Sequence, residues 1–239
     1  MASNPPGACC IQGSLHEGTP VGTHKTLFGL DTYQVGAEHG DERIIVIVTD
    51  IYGHKYNNVL LIADALAKQK YHVLIPDILK SDPVPATHGD LSEWLGNHGP
   101  DVTSPIVDPF LAAVKKELKP KFFGAIGYCY GAKYLIHNLT KEGPLDAGAV
   151  AHPSFVTLDE VKAIAKPIII SAAQTDPIFT VELRHQTELE LTKIGARYQI
   201  DLFSGVVHGF TVRGDITDPI VKFAKEQALA DQIAFFSQY

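Results

Sequence analysis

The chain has 239 residues, of which 45% are hydrophobic, and its formal net charge at pH 7 is -7. This length suits a single α/β domain over residues 1–239, and the acidic balance argues against nucleic-acid or anionic-membrane partners. No apolar run reaches the length of a membrane span. The first residues lack the pattern of a signal peptide and the chain has only three cysteines, so we expect a cytoplasmic protein with reduced thiols.

Strand-like and helix-like segments alternate along the chain. Predicted strands cover 27–35 (one strand or a hairpin), 43–48, 72–75, 121–126, 147–151, 167–173 and 197–203. Predicted helices cover 58–68, 105–118, 132–139, 180–194 and 218–236. This alternation specifies an α/β fold with a mostly parallel central sheet covered by helices on both faces.

Two segments fall outside this alternation. Residues 1–20 form an N-terminal segment, and residues 81–104 form one long connection rich in proline and glycine that contains the only tryptophan, Trp94. Because long loops in compact domains are often lids or binding loops, we expect 81–104 to cover part of a pocket with Trp94 facing inward, where it could bind substrate. The alternative is a surface excursion in which Trp94 fills a small core of its own.

The most informative motif is Gly127-Tyr128-Cys129-Tyr130-Gly131, which lies between a buried strand and a helix. A strand, a sharp turn and a helix form the nucleophile elbow of α/β-hydrolases, in which glycines on either side make room for a strained central residue. Cys129 would occupy the nucleophile position at a helix N-terminus, which favours the thiolate. The alternative is a buried structural cysteine in a glycine-rich turn.

Partners for a nucleophile follow in the order that this fold requires. Asp176 comes directly after the strand at 167–173, and His208 lies on the loop after the strand at 197–203. His208 would take the thiol proton, and Asp176 would fix the tautomer of the histidine. Singly, Asp176 is also a common turn residue and His208 an ordinary loop histidine, but their order on successive strand ends predicts a Cys-His-Asp triad.

The loop after the strand at 43–48 predicts the oxyanion hole. In this fold, that loop and the residue after the nucleophile each supply one backbone N–H, which assigns the donors to Ile51 and Tyr130. Asp50 would then lie close enough to contact the thiol, although a turn-capping role is the alternative.

Together, these segments resemble the dienelactone hydrolase family from about residue 18 to the C-terminus. The resemblance is carried by TDIYGHKYNN (49–58), LIPDIL (74–79), GAIGYCYGAKY (124–134), TDPIF (175–179) and HGFTVRGD (208–215). The opening Cys9-Cys10, with LHEGTP at 15–20, resembles the fungal or other eukaryotic branch of the family.

The resemblance implies a Cys-Asp-His triad of Cys129, Asp176 and His208 that hydrolyses enol-lactones and needs no metal or organic cofactor. In bacterial members a glutamate contacts the thiol, and Asp50 is the matching, shorter residue here. Bacterial members bind the substrate carboxylate with arginines, and Arg213 is the best candidate for that contact among the four arginines of this chain.

Two further features have open interpretations. His152 follows the strand at 147–151 and could reach the substrate. The adjacent pair Cys9-Cys10 could serve metal or redox chemistry, although an ordinary buried segment is the simpler interpretation.

The sequence therefore predicts a cysteine-dependent hydrolase of small esters or lactones, acting as a monomer or homodimer. Two alternatives stay open: a thioesterase-like or amidotransferase-like cysteine hydrolase, and a non-catalytic binding module on the same fold. The small-molecule substrate is the only partner expected.

Overall fold

The structure is a computed structural model that describes residues 1–84 and 91–239. Its strands are β1 (Thr23–Leu27), β2 (Leu30–Val35), β3 (Arg43–Val48), β4 (His72–Pro76), β5 (Phe122–Tyr128), β6 (Ala147–Ala151), β7 (Ile168–Thr175) and β8 (Tyr198–Val207). They form one eight-stranded sheet in the order β1-β2-β4-β3-β5-β6-β7-β8. The pairs β1–β2 and β2–β4 are antiparallel, and the remaining pairs from β4 to β8 are parallel.

Helices cover both faces of this sheet. They are α1 (Asn57–Ala67), α2 (Leu91–Asn97), α3 (Pro100–Ala113), α4 (Tyr130–His137), α5 (Leu158–Lys162), α6 (Val181–Lys193), α7 (Phe210–Arg213) and α8 (Pro219–Phe236). Alternate side chains of β3 enter two separate apolar clusters: Ile44, Val46 and Val48 pack with α3 and α4, whereas Ile45 and Ile47 pack with α1 and α8. A strand buried on both faces needs the continuous apolar run seen at 43–48.

The predicted fold class is confirmed: the topology is that of a mostly parallel α/β sheet with helices on both faces. Because β3, β5, β7 and β8 run parallel, their carboxyl ends lie at the same edge of the sheet. The predicted site residues follow these strand ends. In the described part of the chain, no helix is both long and apolar enough to cross a membrane.

The prediction of one long loop at 81–104 is partly wrong. Residues 91–97 form α2, and α3 begins at Pro100, five residues before the predicted helix start at 105. Pro100 occupies the first turn, where its missing N–H costs nothing, and the helix continues through Pro105 and Pro109. Residues 85–90 of the predicted lid lie outside the described residues.

Candidate active site

The motif around Cys129 forms a sharp strand-to-helix turn. Cys129 follows β5 and caps α4 with backbone angles of φ 48° and ψ -108°, a conformation that non-glycine residues rarely adopt. Two hydrogen bonds hold it there: its N–H donates to the carbonyl of Ala151 at 3.1 Å, and its carbonyl accepts from the Ser154 N–H at 3.1 Å. The predicted elbow is thus present in the backbone.

The flanking glycines are required by close backbone approach. A Cβ added at Gly131 would lie 2.1 Å from the Val48 carbonyl oxygen, and one at Gly127 would lie 2.8 Å from the Cα of Ala132. Both contacts are far shorter than packed atoms allow. Gly131 therefore lets the turn pack against the end of β3, and Gly127 lets it pack against the start of α4.

Cys129, His208 and Asp176 form a continuous chain of polar contacts. His208 Nε2 lies 3.1 Å from Cys129 Sγ, and His208 Nδ1 lies 2.9 Å from both carboxylate oxygens of Asp176. The side chains of His208 and Asp176 are completely buried. Asp176 also accepts hydrogen bonds from the backbone N–H groups of Ile178 and Phe179, which fix its orientation.

The electrostatics of this chain favour a charged Cys129–His208 pair. Burial disfavours both ions, but the mutual attraction and hydrogen bond, with Asp176 on the far side of the ring, outweigh it. The pKa of Cys129 is accordingly lowered well below its usual value, and that of His208 is raised to about 10. The hydrogen bond with Cys10 is the largest influence that lowers the pKa of Cys129, followed by the charge and hydrogen bond of His208 and by the charge of Arg213.

The two residues predicted to supply oxyanion-hole N–H groups, Tyr130 and Ile51, lie at the start of α4 and in the turn after β3. Tyr130 is the first residue of α4, so its N–H has no acceptor within the helix. Ile51 lies in the turn after β3, is fully buried, and its carbonyl accepts from the Val84 N–H at 2.9 Å. The phenol of Tyr130 points into the core, where it donates to the His98 carbonyl at 2.6 Å.

The prediction that Asp50 contacts the thiol requires correction. The Asp50 carboxylate forms an ion pair with Arg213 and accepts from the Tyr52 N–H at 3.0 Å. Among the described residues, the side chains within hydrogen-bonding distance of Cys129 Sγ are Cys10, Ser154 and His208. The positive charge of Arg213 attracts the Asp50 carboxylate, whereas a Cys129 thiolate would repel it.

Arg213 is buried rather than displayed on the surface. It pairs with Asp50, donates through Nε to the Gln12 carbonyl at 3.2 Å, and lies 5.4 Å from the Tyr52 ring. Its Nη2 is buried and has no hydrogen-bond partner among the described residues. Buried donors without an acceptor are uncommon in folded proteins, so this atom distinguishes Arg213 from an ordinary buried ion-pair partner.

The site predicted from the sequence did not include Cys10. Its Sγ lies 3.4 Å from Cys129 Sγ and 3.4 Å from His208 Nε2, so this thiol sits directly over the proposed site. Cys10 is buried, as the simpler interpretation of the pair expects, and it also contacts two of the predicted site residues. A signal was present: two of the three cysteines are adjacent in a segment that no strand or helix pattern explains.

The N-terminal segment reaches the site because it is anchored on both sides of the cysteine pair. Before the pair, the N–H groups of Ala2 and Ser3 donate to the Val156 carbonyl. After it, the N–H of Ser14 donates to the Arg213 carbonyl at 2.8 Å. Farther along, Asn58 accepts from the N–H of His16 at 2.7 Å. The short 3₁₀ turn between these anchors carries Cys9 and Cys10 across the site.

His152 and Trp94 are both buried, His152 against His208 and Trp94 against Tyr130, and their contact with substrate stays a prediction. The His152 ring packs edge-on against His208 with ring centroids 4.9 Å apart, and it is fully buried. Burial, with the charges of His208 and Arg213, lowers its pKa well below the usual value. Trp94 faces inward as expected: its ring contacts Tyr130 at 5.5 Å, and its Nε1 donates to the Asp82 carbonyl.

A cavity of about 280 Å³ adjoins this cluster. Its lining includes His208 and Arg213, together with Gln12 and Gly13 of the N-terminal segment and Phe210 of α7. Cys129 itself has no exposed surface. A substrate in this cavity would therefore meet the histidine and the arginine before it reached the sulfur.

The topology and the elbow define the class of protein, the α/β-hydrolases. Within that class, the model of the dienelactone hydrolase family matches residues 30–239, and the chain belongs to this family. It is an enzyme that hydrolyses carboxylic esters or lactones.

Fungal proteins are among its relatives. The chain is 40% identical to hydrolase pyvD of Aspergillus violaceofuscus, covering 100% of this chain and 99% of the relative. It is 38% identical to hydrolase tropI of Talaromyces stipitatus, covering 100% and 98%. A protein named dienlactone hydrolase 1, from Gibberella moniliformis, is 32% identical over 95% and 91% of the two chains.

Solved structures agree on the fold. A putative dienelactone hydrolase from Klebsiella pneumoniae superimposes with a TM-score of 0.77 at 13% identity, covering 92% of this chain and 99% of the other. An esterase of Pyrococcus furiosus superimposes with a TM-score of 0.68 at 14% identity, covering 99% and 97%.

Proposed function

We propose that the protein hydrolyses enol-lactones and activated esters with Cys129 as nucleophile, His208 as general base and acid, and Asp176 as the group that orients the histidine. The observation that carries this proposal is the buried contact chain from Cys129 Sγ to His208 (3.1 Å) and on to Asp176 (2.9 Å). A nucleophile next to a base that is itself held by a third group is the general signature of covalent catalysis.

In the proposed reaction, the Cys129 thiolate attacks the substrate carbonyl and forms a tetrahedral adduct. The N–H groups of Ile51 and Tyr130 stabilise the negative oxygen. The C–O bond then breaks, His208 protonates the leaving oxygen, and the acyl group stays on the sulfur. A water molecule that gives its proton to His208 attacks the thioester, and the thiolate departs.

Two features support substrates with good leaving groups. A thiolate leaves the tetrahedral adduct more readily than an alkoxide, so productive turnover requires a stabilised leaving group such as an enolate or a phenolate. Arg213, which lines the cavity with His208 and has a buried Nη2 without a partner among the described residues, supports a substrate that carries a carboxylate. A dienelactone combines both features, and one relative carries that substrate in its name.

The proposal includes two further predictions. All three cysteines are free, and a thiolate nucleophile requires a reducing compartment, which supports the cytoplasmic location expected from the sequence. The protein acts alone or as a homodimer on a small molecule, since each residue of the proposed machinery comes from the one chain.

The test is hydrolysis of dienelactone and of a panel of phenyl esters by wild type, Cys129→Ala and the matched control Cys9→Ala. We expect turnover by wild type and Cys9→Ala that Cys129→Ala lacks. Turnover of phenyl esters without turnover of dienelactone would keep the nucleophile and reject the substrate. Activity that survives in Cys129→Ala would reject the mechanism, and absence of turnover in wild type would favour a binding module.

A further inference from the structure

The thiol of Cys10 helps to lower the pKa of Cys129 through its hydrogen bond, but it takes no part in the bond-making and bond-breaking steps of the proposed reaction. It lies 3.4 Å from Cys129 Sγ and 3.4 Å from His208 Nε2, and it is fully buried. Neither proton transfer nor oxyanion binding in the proposed mechanism involves it. A second thiol in contact with a reactive thiolate has a characteristic chemistry, which is disulfide formation after oxidation.

We propose that Cys10 and Cys129 form a peroxide-driven modification site, in which Cys10 resolves the sulfenic acid of Cys129 as a reversible disulfide. The proposal rests on the assignment of Cys129 as the reactive thiolate of the proposed function.

The first step oxidises Cys129 at the expense of a peroxide. The thiolate attacks one peroxide oxygen, the O–O bond breaks, and the sulfur becomes a sulfenic acid. The departing oxygen takes its proton from the protonated His208 and leaves as water or an alcohol. The peroxide gains the two electrons that the sulfur loses.

The second step uses Cys10. Its sulfur attacks the sulfenic sulfur, the S–S bond forms, and the S–O bond breaks. The hydroxide leaves as water with the proton of Cys10. His208 Nε2, now neutral and 3.4 Å from Cys10 Sγ, can carry that proton. A dithiol reductant reverses the product to two thiols.

The charges support this order of events. While Cys129 is a thiolate, its hydrogen bond and charge hold the Cys10 proton in place, and the pKa of Cys10 is far above its ordinary value. Oxidation removes that negative charge, because a sulfenic acid is neutral. Cys10 therefore becomes a better nucleophile only after Cys129 has been oxidised.

The surrounding structure permits the short movement required. A disulfide bond is about 2.05 Å long, so the two sulfurs must approach by roughly 1.4 Å. Cys10 lies on a single 3₁₀ turn, Ala8–Ile11. The N–H of Cys10 donates to the Gly7 carbonyl at 2.8 Å. Such a turn adjusts more readily than the elbow that holds Cys129 between β5 and α4.

The test compares wild type, Cys10→Ser, Cys10→Ala and the matched neighbour control Cys9→Ser. Each protein is treated with hydrogen peroxide, blocked with iodoacetamide, digested with trypsin and analysed by mass spectrometry. Trypsin releases Cys9 and Cys10 in the peptide 1–25 and Cys129 in the peptide 122–133. The residual hydrolase activity is measured before and after dithiothreitol and is scaled to each protein's own untreated rate.

We expect a linked 1–25/122–133 species in wild type and Cys9→Ser, with activity that is lost on oxidation and returned by dithiothreitol. Both Cys10 variants should lack the link, accumulate sulfinic acid at Cys129 and stay inactive after reduction. A Cys9–Cys10 disulfide in wild type, unlinked Cys129, or equal recovery in the Cys10 variants would overturn the proposal. The linked peptide is scored by mass alone, so this result is independent of whether Cys129→Ala abolishes hydrolysis.

Discussion

The site is assembled from two regions that differ in how their residues arrive. Cys129, Asp176 and His208 come from loops at the ends of β5, β7 and β8, where the parallel sheet itself sets their spacing. Cys10 comes from an N-terminal segment that crosses the same edge and is held by backbone hydrogen bonds to Val156, after β6, and to Arg213, at the end of α7. The sheet supplies a rigid chemical frame, and the segment covers it with a second thiol. The buried Asp50–Arg213 pair is in contact with both regions, since Asp50 follows β3 and Arg213 donates to the Gln12 carbonyl of the N-terminal segment.

The largest effect expected on the sheet-borne region is that of Asp176→Asn. An amide favours the wrong tautomer of His208 and loses the charge that stabilises the imidazolium. By analogy with other triads, we expect kcat to fall by about 10³ to 10⁴-fold. Steady-state hydrolysis of a phenyl ester measures this, with Asp201→Asn on β8 as a control that keeps wild-type activity. A loss below tenfold would remove Asp176 from the proposed triad.

The next largest effect is expected from breaking the buried Asp50–Arg213 ion pair. Arg213→Met leaves Asp50 buried without its partner, and we expect the free energy of unfolding to drop by about 3 to 5 kcal/mol. Urea denaturation measures it. Lys162→Met, which breaks the exposed Lys162–Asp159 pair, is the control and should leave stability unchanged within error. Equal results for the two variants would mean that the buried pair contributes nothing special.

The elbow should be less costly to disturb. Gly131→Ala drives a methyl group into the Val48 carbonyl, 2.1 Å away in the undisturbed backbone, and overpacking of this kind costs about 1 to 3 kcal/mol. Gly96→Ala on α2 is the matched control and should be neutral or stabilising, because no atom of the described residues beyond its own stretch of helix lies within 4 Å of the added Cβ. Thermal or urea unfolding of both variants decides the matter, and equal stabilities would show that the turn relaxes freely.

The smallest expected effect is the pH dependence of alkylation, which should differ between Cys129 at the elbow and Cys9 in the N-terminal segment. Because the pKa of Cys129 is held well below its usual value, its alkylation by iodoacetamide should vary by less than about twofold from pH 6 to pH 8. Cys9, half-buried in the N-terminal segment, has its pKa lowered to about 7 by its hydrogen bond with Cys10, and its labelling should rise through neutral pH.

Mass spectrometry of the peptides 122–133 and 1–25 follows the two cysteines in one sample. A Cys129 rate that rises about tenfold per pH unit, as an ordinary thiol below its pKa does, would contradict the charged Cys129–His208 pair.

The sequence was sufficient for the frame because local patterns carry its information. The apolar run at 43–48 specifies a strand buried on both faces, and Gly127 and Gly131 specify a turn with no room for side chains. The order of the strand ends then brings Asp176 and His208 close to Cys129. His208 lies within hydrogen-bonding distance of both Cys129 Sγ and the Asp176 carboxylate.

The rest depended on long-range partners that no local pattern contains. Asp50 turned away from the thiol because Arg213, 163 residues later in the chain, offers a stronger attraction. Cys10 lies next to Cys129 because backbone hydrogen bonds to Val156 and Arg213 hold the N-terminal segment across the site. The residues around Cys10 contain no pattern that predicts these hydrogen bonds. The early start of α3 was hidden by its own prolines, which are typical of loops as well as of a first helical turn.

The most direct test of the central claim is to trap the acyl-enzyme. Wild type is mixed rapidly with p-nitrophenyl acetate, quenched in acid during turnover and digested for mass spectrometry. We expect an acetyl group on Cys129 in the peptide 122–133, formed and lost at rates that match turnover. Acetylation instead in the peptide 142–162, at Ser154, whose Oγ lies 3.8 Å from the sulfur, would contradict it, as would turnover with Cys129 unmodified.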